Sequence, residues 1–151
     1  MRVVIQRVSH ASVRVEGRET GTIAHGMVVL LGIDREDGDD DLKWLSNKVE
    51  KLRIFEDDEG HMNRDIGQVG GEMVVVSQFT LFGNLRKGSR PSFNRSASPR
   101  KALPLYRSFV REMEKRLGKP VVAGSFGAMM EIDLTNDGPV TLIIDSKDKR
   151  F

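Results

Sequence analysis

The chain has 151 residues, no cysteine, 38% hydrophobic and 30% charged residues, and a formal net charge of +2. A single core at this length hides roughly 70% of the surface the unfolded chain exposes, so one domain can stand without a metal or a disulfide; the missing cysteines exclude a disulfide framework, a thiolate nucleophile and cysteine-ligated zinc or iron–sulfur sites. The longest apolar stretch, Met27 to Leu31, is far too short to cross a bilayer, and Gln6 and Arg7 interrupt the N-terminal run before a signal-peptide core can form, which gives the cytoplasm as the expected compartment.

In chain order, the β-branched run Val3 to Val8 predicts a strand. Ser12 to Val15 alternates polar and apolar residues, and Glu16-Gly17 supplies a turn toward Thr22-Ile23, which predicts a hairpin. Gly26 to Ile33 is almost continuously apolar, the pattern of a strand buried on both faces. Leu42, Leu45, Val49 and Leu52 recur at helical spacing behind three aspartates that suit the positive end of a helix. Phe55 to Gly60 reads as a polar turn, and Met73 to Leu81 as a second buried strand after Gly70-Gly71. Residues 82–99 form the longest irregular segment. Ser98-Pro99 resembles a helix cap with a first-turn proline. Tyr106, Phe109, Val110, Met113 and Leu117 then mark an amphipathic helix, whose start Pro104 either delays to Leu103 or distorts. Ala128 to Leu134 and Val140 to Asp145 read as two closing strands around a turn at Asn136 to Pro139. Two helices cannot cover both faces of so much sheet. The expectation is therefore one mixed α/β domain over residues 1–145, with sheet also packing on sheet, followed by a loose basic tail at 146–151.

Charge is segregated along the chain. Six acids and one arginine lie between Asp34 and Asp41, whereas no acid occurs from Met73 to Arg111, a stretch holding eight lysines and arginines. Such a run is either a solvated face or a phosphate-binding surface. The familiar catalytic devices are missing. His10, His25 and His61 have no metal-ligand spacing, and there is no nucleophile elbow, P-loop or dinucleotide fingerprint, so neither a metal nor a cofactor is expected. Two segments stand out instead. Ser77-Gln78-Phe79-Thr80-Leu81 places two hydroxyls and an amide at the end of an apolar strand, where they either bond the backbone or face a cleft. Asn136-Asp137-Gly138-Pro139-Val140-Thr141 is either a plain turn or, if its Gly-Pro bond is cis, a rigid display of carbonyl groups.

Together these two segments closely resemble the D-aminoacyl-tRNA deacylases, the chiral-proofreading hydrolases of translation. The likeness extends to Ile5-Gln6-Arg7-Val8, to Arg90-Pro91-Ser92-Phe93 and to Phe126-Gly127-Ala128-Met129-Met130, and it runs essentially end to end. It implies a three-layer α/β/β fold and a homodimer with two active sites at the subunit interface. It also implies hydrolysis of the ester of D-aminoacyl-tRNA, or of glycine mischarged on alanine tRNA. By the same likeness Ser77, Gln78, Phe79 and Thr80 line the catalytic pocket. Gly138 and Pro139, with a cis bond and braced by Arg7, select chirality inside the partner's pocket. Phe126 and Met130 face the terminal adenine. Arg86, Lys87, Arg90 and Arg95 then become candidates for acceptor-stem phosphates, and the main-chain N–H of Phe79 a candidate oxyanion donor needing no side-chain base. Two alternatives stand beside this reading: a non-catalytic RNA-binding domain, and a small-molecule esterase with Ser77 as nucleophile.

Overall fold

A computed structural model of the chain describes residues 1–149. Eight strands and two long helices follow one another as β1 (Arg2–Val15), β2 (Arg18–Ile23), β3 (Gly26–Gly32), α1 (Asp39–Glu50), β4 (Phe55–Glu56), β5 (Met62–Arg64), β6 (Glu72–Ser77), a 3-10 turn (Phe79–Phe82), α2 (Pro99–Leu117), β7 (Val122–Ala123) and β8 (Met130–Asp145). The main sheet has the order β2-β1-β3-β6-β7, with β8 along the other edge of β1, and β4 and β5 pair separately.

Strand β1 organises the domain. Its first half pairs with β3, its second half with β2, and β8 accompanies nearly its whole length. Val3 and Ile5 point into a core shared with α1 and α2. Beyond a bulge, Val8, Ala11 and Val13 serve a second core against Ile23, Val28, Val74 and Val76. The central strands β3 and β6 feed both cores, which is why they read as unbroken apolar runs. Helices therefore cover one face, and the curled half of the sheet covers the other. This is the expected mixed α/β domain with sheet packed on sheet. Strands β3 and β6 approach so closely at their start that a Cβ on Gly26 would lie 1.9 Å from the Glu72 carbonyl oxygen.

Helix α1 begins behind Gly38, whose N–H is capped by Asp41 Oδ2 at 3.1 Å, and buries Leu42, Leu45 and Val49. Helix α2 starts at Pro99 and runs unbroken through Pro104, burying Ala102, Tyr106, Phe109 and Met113. Gly118, at φ +64°, ends it in the left-handed conformation.

Four sequence expectations are revised. The segment 55–60 opens a small hairpin, β4–β5, rather than being only a turn. Strand β6 stops at Ser77, because the chain coils into the 3-10 turn. The two closing strands are one, β8. Asn136 and Thr141 stand opposite Val8 and Gln6, so three extra residues bulge out of a continuous strand. Nor is the start of the basic tail loose. Ser146 is buried, accepts a hydrogen bond from the Met1 ammonium and donates one to Asp41, and Lys147 pairs with Asp41 at 2.8 Å. Arg150 and Phe151 lie outside the described residues.

Candidate active site

Ser77 ends β6 beside Leu31 of β3, and the N–H of Gln78 still reaches the Leu31 carbonyl at 2.8 Å. The chain then turns sharply, lifting Phe79 and Thr80 out of the sheet. Phe79 is 57% exposed. It meets Phe93 of the long loop edge-on, with ring centroids 5.0 Å apart, and its carbonyl accepts a 2.9 Å hydrogen bond from Ser96 Oγ. Because Phe79 and Thr80 open a 3-10 turn, their N–H groups have no acceptor within it.

Beside this turn lies a pocket of about 280 Å³, walled by Leu31, Ile33, Ser77, Phe79, Ala102 and Phe126 among others. It is mainly apolar, with Ser77 and Ser96 as the polar residues among its walls. Phe126 is held in place by Tyr106, whose ring lies 5.7 Å away. The Tyr106 hydroxyl donates toward the carbonyls of Val75, at 2.8 Å, and Gly124, at 3.2 Å. Burial pushes that phenol up to about 12, with the Gly124 contact only partly offsetting it, so it acts as a fixed donor at neutral pH. Met130 is not part of this wall. Its thioether packs over Gly124, in the company of the second core.

No histidine or carboxylate bonds the hydroxyl of Ser77 or Thr80 among the described residues. The Thr80 hydroxyl instead accepts a hydrogen bond from the Gln78 amide. His10 is exposed, His25 stacks edge-on against Phe55, and His61 sits beside Asp57 and Glu59. The pocket thus offers hydroxyls and main-chain donors rather than a charged base.

The Gly138–Pro139 bond is cis, and both residues are exposed on the bulge of β8. Arg7, only 5% exposed, supports that bulge from beneath. Its Nε donates to the Asp137 carbonyl at 3.2 Å and pairs with the Asp137 carboxylate at 3.0 Å, while Nη1 donates to the Ile54 carbonyl at 2.8 Å. Asn136 closes the base of the bulge by donating to the carbonyls of Arg7 and Val140. Within the chain this bulge is far from Ser77 to Thr80. Four residues of β1 separate the pairs Val3–Leu31 and Arg7–Met27, and three interstrand steps separate β8 from β6. Strand spacings put the two motifs roughly 20 Å apart.

The long loop keeps Arg86, Lys87 and Arg90 exposed. Arg95 is differently placed. It forms a two-point ion pair with buried Asp34 (2.9 and 2.7 Å) and lies over the Phe82 ring, so it first anchors the loop. Arg2, which the sequence did not single out, also lies over Phe82 and donates to the Leu81 carbonyl at 2.8 Å. Ser96 was missed too, since a serine in a polar loop carries no distinguishing mark.

Fold and site together define a mixed α/β domain with an apolar pocket at the end of β6 and a Gly-Pro bulge displayed on β8. The family model described as D-Tyr-tRNA(Tyr) deacylase matches residues 4–145. A D-aminoacyl-tRNA deacylase of Opitutus terrae is 57% identical over 146 residues, covering 97% of each chain. That of Chloroherpeton thalassium is 53% identical over 150 residues, covering 99% of this chain and 98% of its own. Among solved structures, the c-Myc DNA unwinding element binding protein superposes with a TM-score of 0.90 at 38% identity, covering 96% of this chain and 98% of that one. A probable eukaryotic D-amino acid tRNA deacylase, 17% identical, shares the fold with a TM-score of 0.80 over 95% of this chain and 97% of its own. The chain belongs to the D-Tyr-tRNA(Tyr) deacylase family.

Proposed function

We propose that this protein hydrolyses the ester joining a D-amino acid to the 3′ end of tRNA, releasing the free D-amino acid and the tRNA, and that it does so in the cytoplasm as a homodimer. Family membership supports the reaction. The observation that carries the homodimer is the placement of Gly138 and Pro139. They stand exposed on a braced bulge and far from the pocket of their own chain, as suits a loop that completes a second copy's site.

In that composite site, the terminal adenosine occupies the apolar pocket against Phe126. The Gly138 and Pro139 carbonyls accept hydrogen bonds from the substrate's α-ammonium. An L side chain collides with this wall, while a D side chain points outward, so rejection does not depend on which D-amino acid is attached. Glycine has no side chain to collide, so glycine mischarged on alanine tRNA is also cleaved.

Water attacks the acyl carbon, the bond from that carbon to the ribose oxygen breaks, and the ribose oxygen takes up a proton. The neighbouring ribose hydroxyl assists, and the Phe79 N–H stabilises the oxyanion. Ser77, Gln78 and Thr80 position the ester, with no covalent intermediate. Arg86, Lys87 and Arg90 hold acceptor-stem phosphates, which makes affinity fall as salt rises.

The 38% identical relative whose name describes binding to a DNA element favours a second reading, nucleic-acid binding without catalysis. Side-by-side incubation with matched D- and L-aminoacyl-tRNA separates the two. The proposal expects release from the D and glycyl substrates only. Equal rates on D and L remove the chiral reading, and binding without release supports the second reading.

A further inference from the structure

On the far side of Phe126 from the apolar pocket lies a second groove, of about 400 Å³, between α2 and the segment that follows β7. We propose that this groove holds the nucleotides immediately 5′ of the terminal adenosine, with Arg107 and Arg111 on their phosphates. This rests on the reading that places the adenosine in the first pocket.

Continuity is the first support. Phe126 is a wall of both cavities, so a strand whose last base fills the pocket leaves it over Phe126 and enters the groove directly. The groove is also larger than the pocket, by about 400 to 280 Å³, so a space that suits one base continues into one that admits at least another.

The walls supply the second support. Arg107 and Arg111 line one side with Val110 between them, and Gly124, Ser125 and Phe126 line the other. The two guanidinium groups are one helical turn apart, roughly 6 Å along the axis, a step comparable to that between successive phosphates of an extended strand. Val110 and Phe126 give apolar surface for bases, which is tolerant of sequence.

Charge accounting is the third. Arg116 on the same helix is held by Glu112 at 2.8 Å and by Glu50 at 2.6 Å. Arg2, Arg7, Arg14, Arg64 and Arg95 also have carboxylate partners. Arg107 and Arg111 are exposed and have no carboxylate partner among the described residues; Arg111 reaches only the Ser108 hydroxyl, at 3.0 Å. Arg100 and Lys115 are further exposed cations on α2. The helix thus sets two cations without carboxylate partners, Arg107 and Arg111, on the groove, while its paired Arg116 is not among the groove's walls.

The test compares binding of a labelled ACCA tetranucleotide and of AMP to the full-length wild-type protein and to an Arg107→Glu/Arg111→Glu variant. D-aminoacyl-tRNA hydrolysis is measured alongside. Both side chains are exposed, so the fold survives, and an Arg107→Lys/Arg111→Lys variant that keeps most of the affinity confirms a phosphate contact. The expected result is at least a tenfold loss of ACCA affinity with less than a twofold change for AMP. The slope of log affinity against log salt should fall by about 1.4, or 0.7 per phosphate released from a single strand. Unchanged ACCA affinity, or equal losses for ACCA and AMP, overturns the proposal. An arginine-dependent ACCA affinity in a protein that leaves D-aminoacyl-tRNA intact keeps the groove and removes the hydrolytic reading instead.

Discussion

The guanidinium of Arg7 holds Asp137 at two points, the main-chain oxygen at 3.2 Å and the carboxylate at 3.0 Å. The same group is tied to the Ile54 carbonyl, so the Gly-Pro bulge is fastened to the β4–β5 hairpin as well as to β1. A lysine carries the charge but not the planar fork that serves these partners together. Arg7→Lys is expected to cost about 2 kcal/mol in denaturant unfolding, the value of a lost hydrogen bond to a charged group. It should also lower kcat/KM on D-aminoacyl-tRNA. Unaltered kcat/KM would show that the brace has no part in catalysis.

Gly138 sits at φ +121°, and an added Cβ would lie 2.8 Å from Val140 Cγ2 and 3.0 Å from Arg7 Nη2. Gly138→Ala therefore shifts the bulge locally against Val140 and the Arg7 guanidinium, at about 1–3 kcal/mol. Deacylation of D-aminoacyl-tRNA should fall roughly 100-fold, the scale on which a misplacement of about 1 Å acts, while the circular dichroism spectrum stays that of the wild type.

The Thr80 hydroxyl receives a hydrogen bond from Gln78 and no base contacts it. Thr80→Ala should therefore retain measurable single-turnover deacylation, and no acyl-enzyme should be trapped by mass spectrometry in the wild type. Complete loss of deacylation with tRNA affinity and fold intact would make Thr80 the nucleophile.

Asp41 contributes to the acid limb of stability. Burial alone would push its carboxyl up, but the hydrogen bonds from Lys147, Ser146 and the Gly38 N–H outweigh it and bring it from 3.8 down to about 2. A depressed carboxylate stabilises the fold above its unfolded pKa and loses that contribution as pH falls through the folded one. The contribution amounts to about 2 kcal/mol. It is complete above about pH 4 and is lost as pH falls toward about 2. Asp41→Asn should flatten unfolding free energy across that window. An unchanged slope would assign the acid limb to other groups.

Much of this architecture is legible from residue pattern. The apolar run of β3 announces burial on both faces, and the spacing of Tyr106, Phe109 and Met113 marks the inward face of α2. The fusion of the closing strands is not legible. Asn136 to Pro139 has the composition of a turn, and only the length of β1 beside it makes a bulge within one strand. The end of β6 is hidden because Phe79, Leu81 and Phe82 look as strand-like as the valines before them. At the site, the Ser77 to Thr80 and Gly-Pro motifs are visible, but the pocket wall of Ala97, Pro99 and Ala102 carries no chemical mark. The partnership of Arg95 with Asp34, 61 residues away, exists only after folding.

The roughly 20 Å between the Gly-Pro bulge and the Ser77–Thr80 turn has a genetic counterpart. If each working centre draws its halves from two polypeptides, lesions in different halves complement one another. Copies carrying Gly138→Ala, mixed and re-associated with copies carrying Phe79→Ala, yield hybrids in which one centre collects both defects and the other collects none. Two inactive preparations would regain turnover on mixing, and strong dilution would abolish it again.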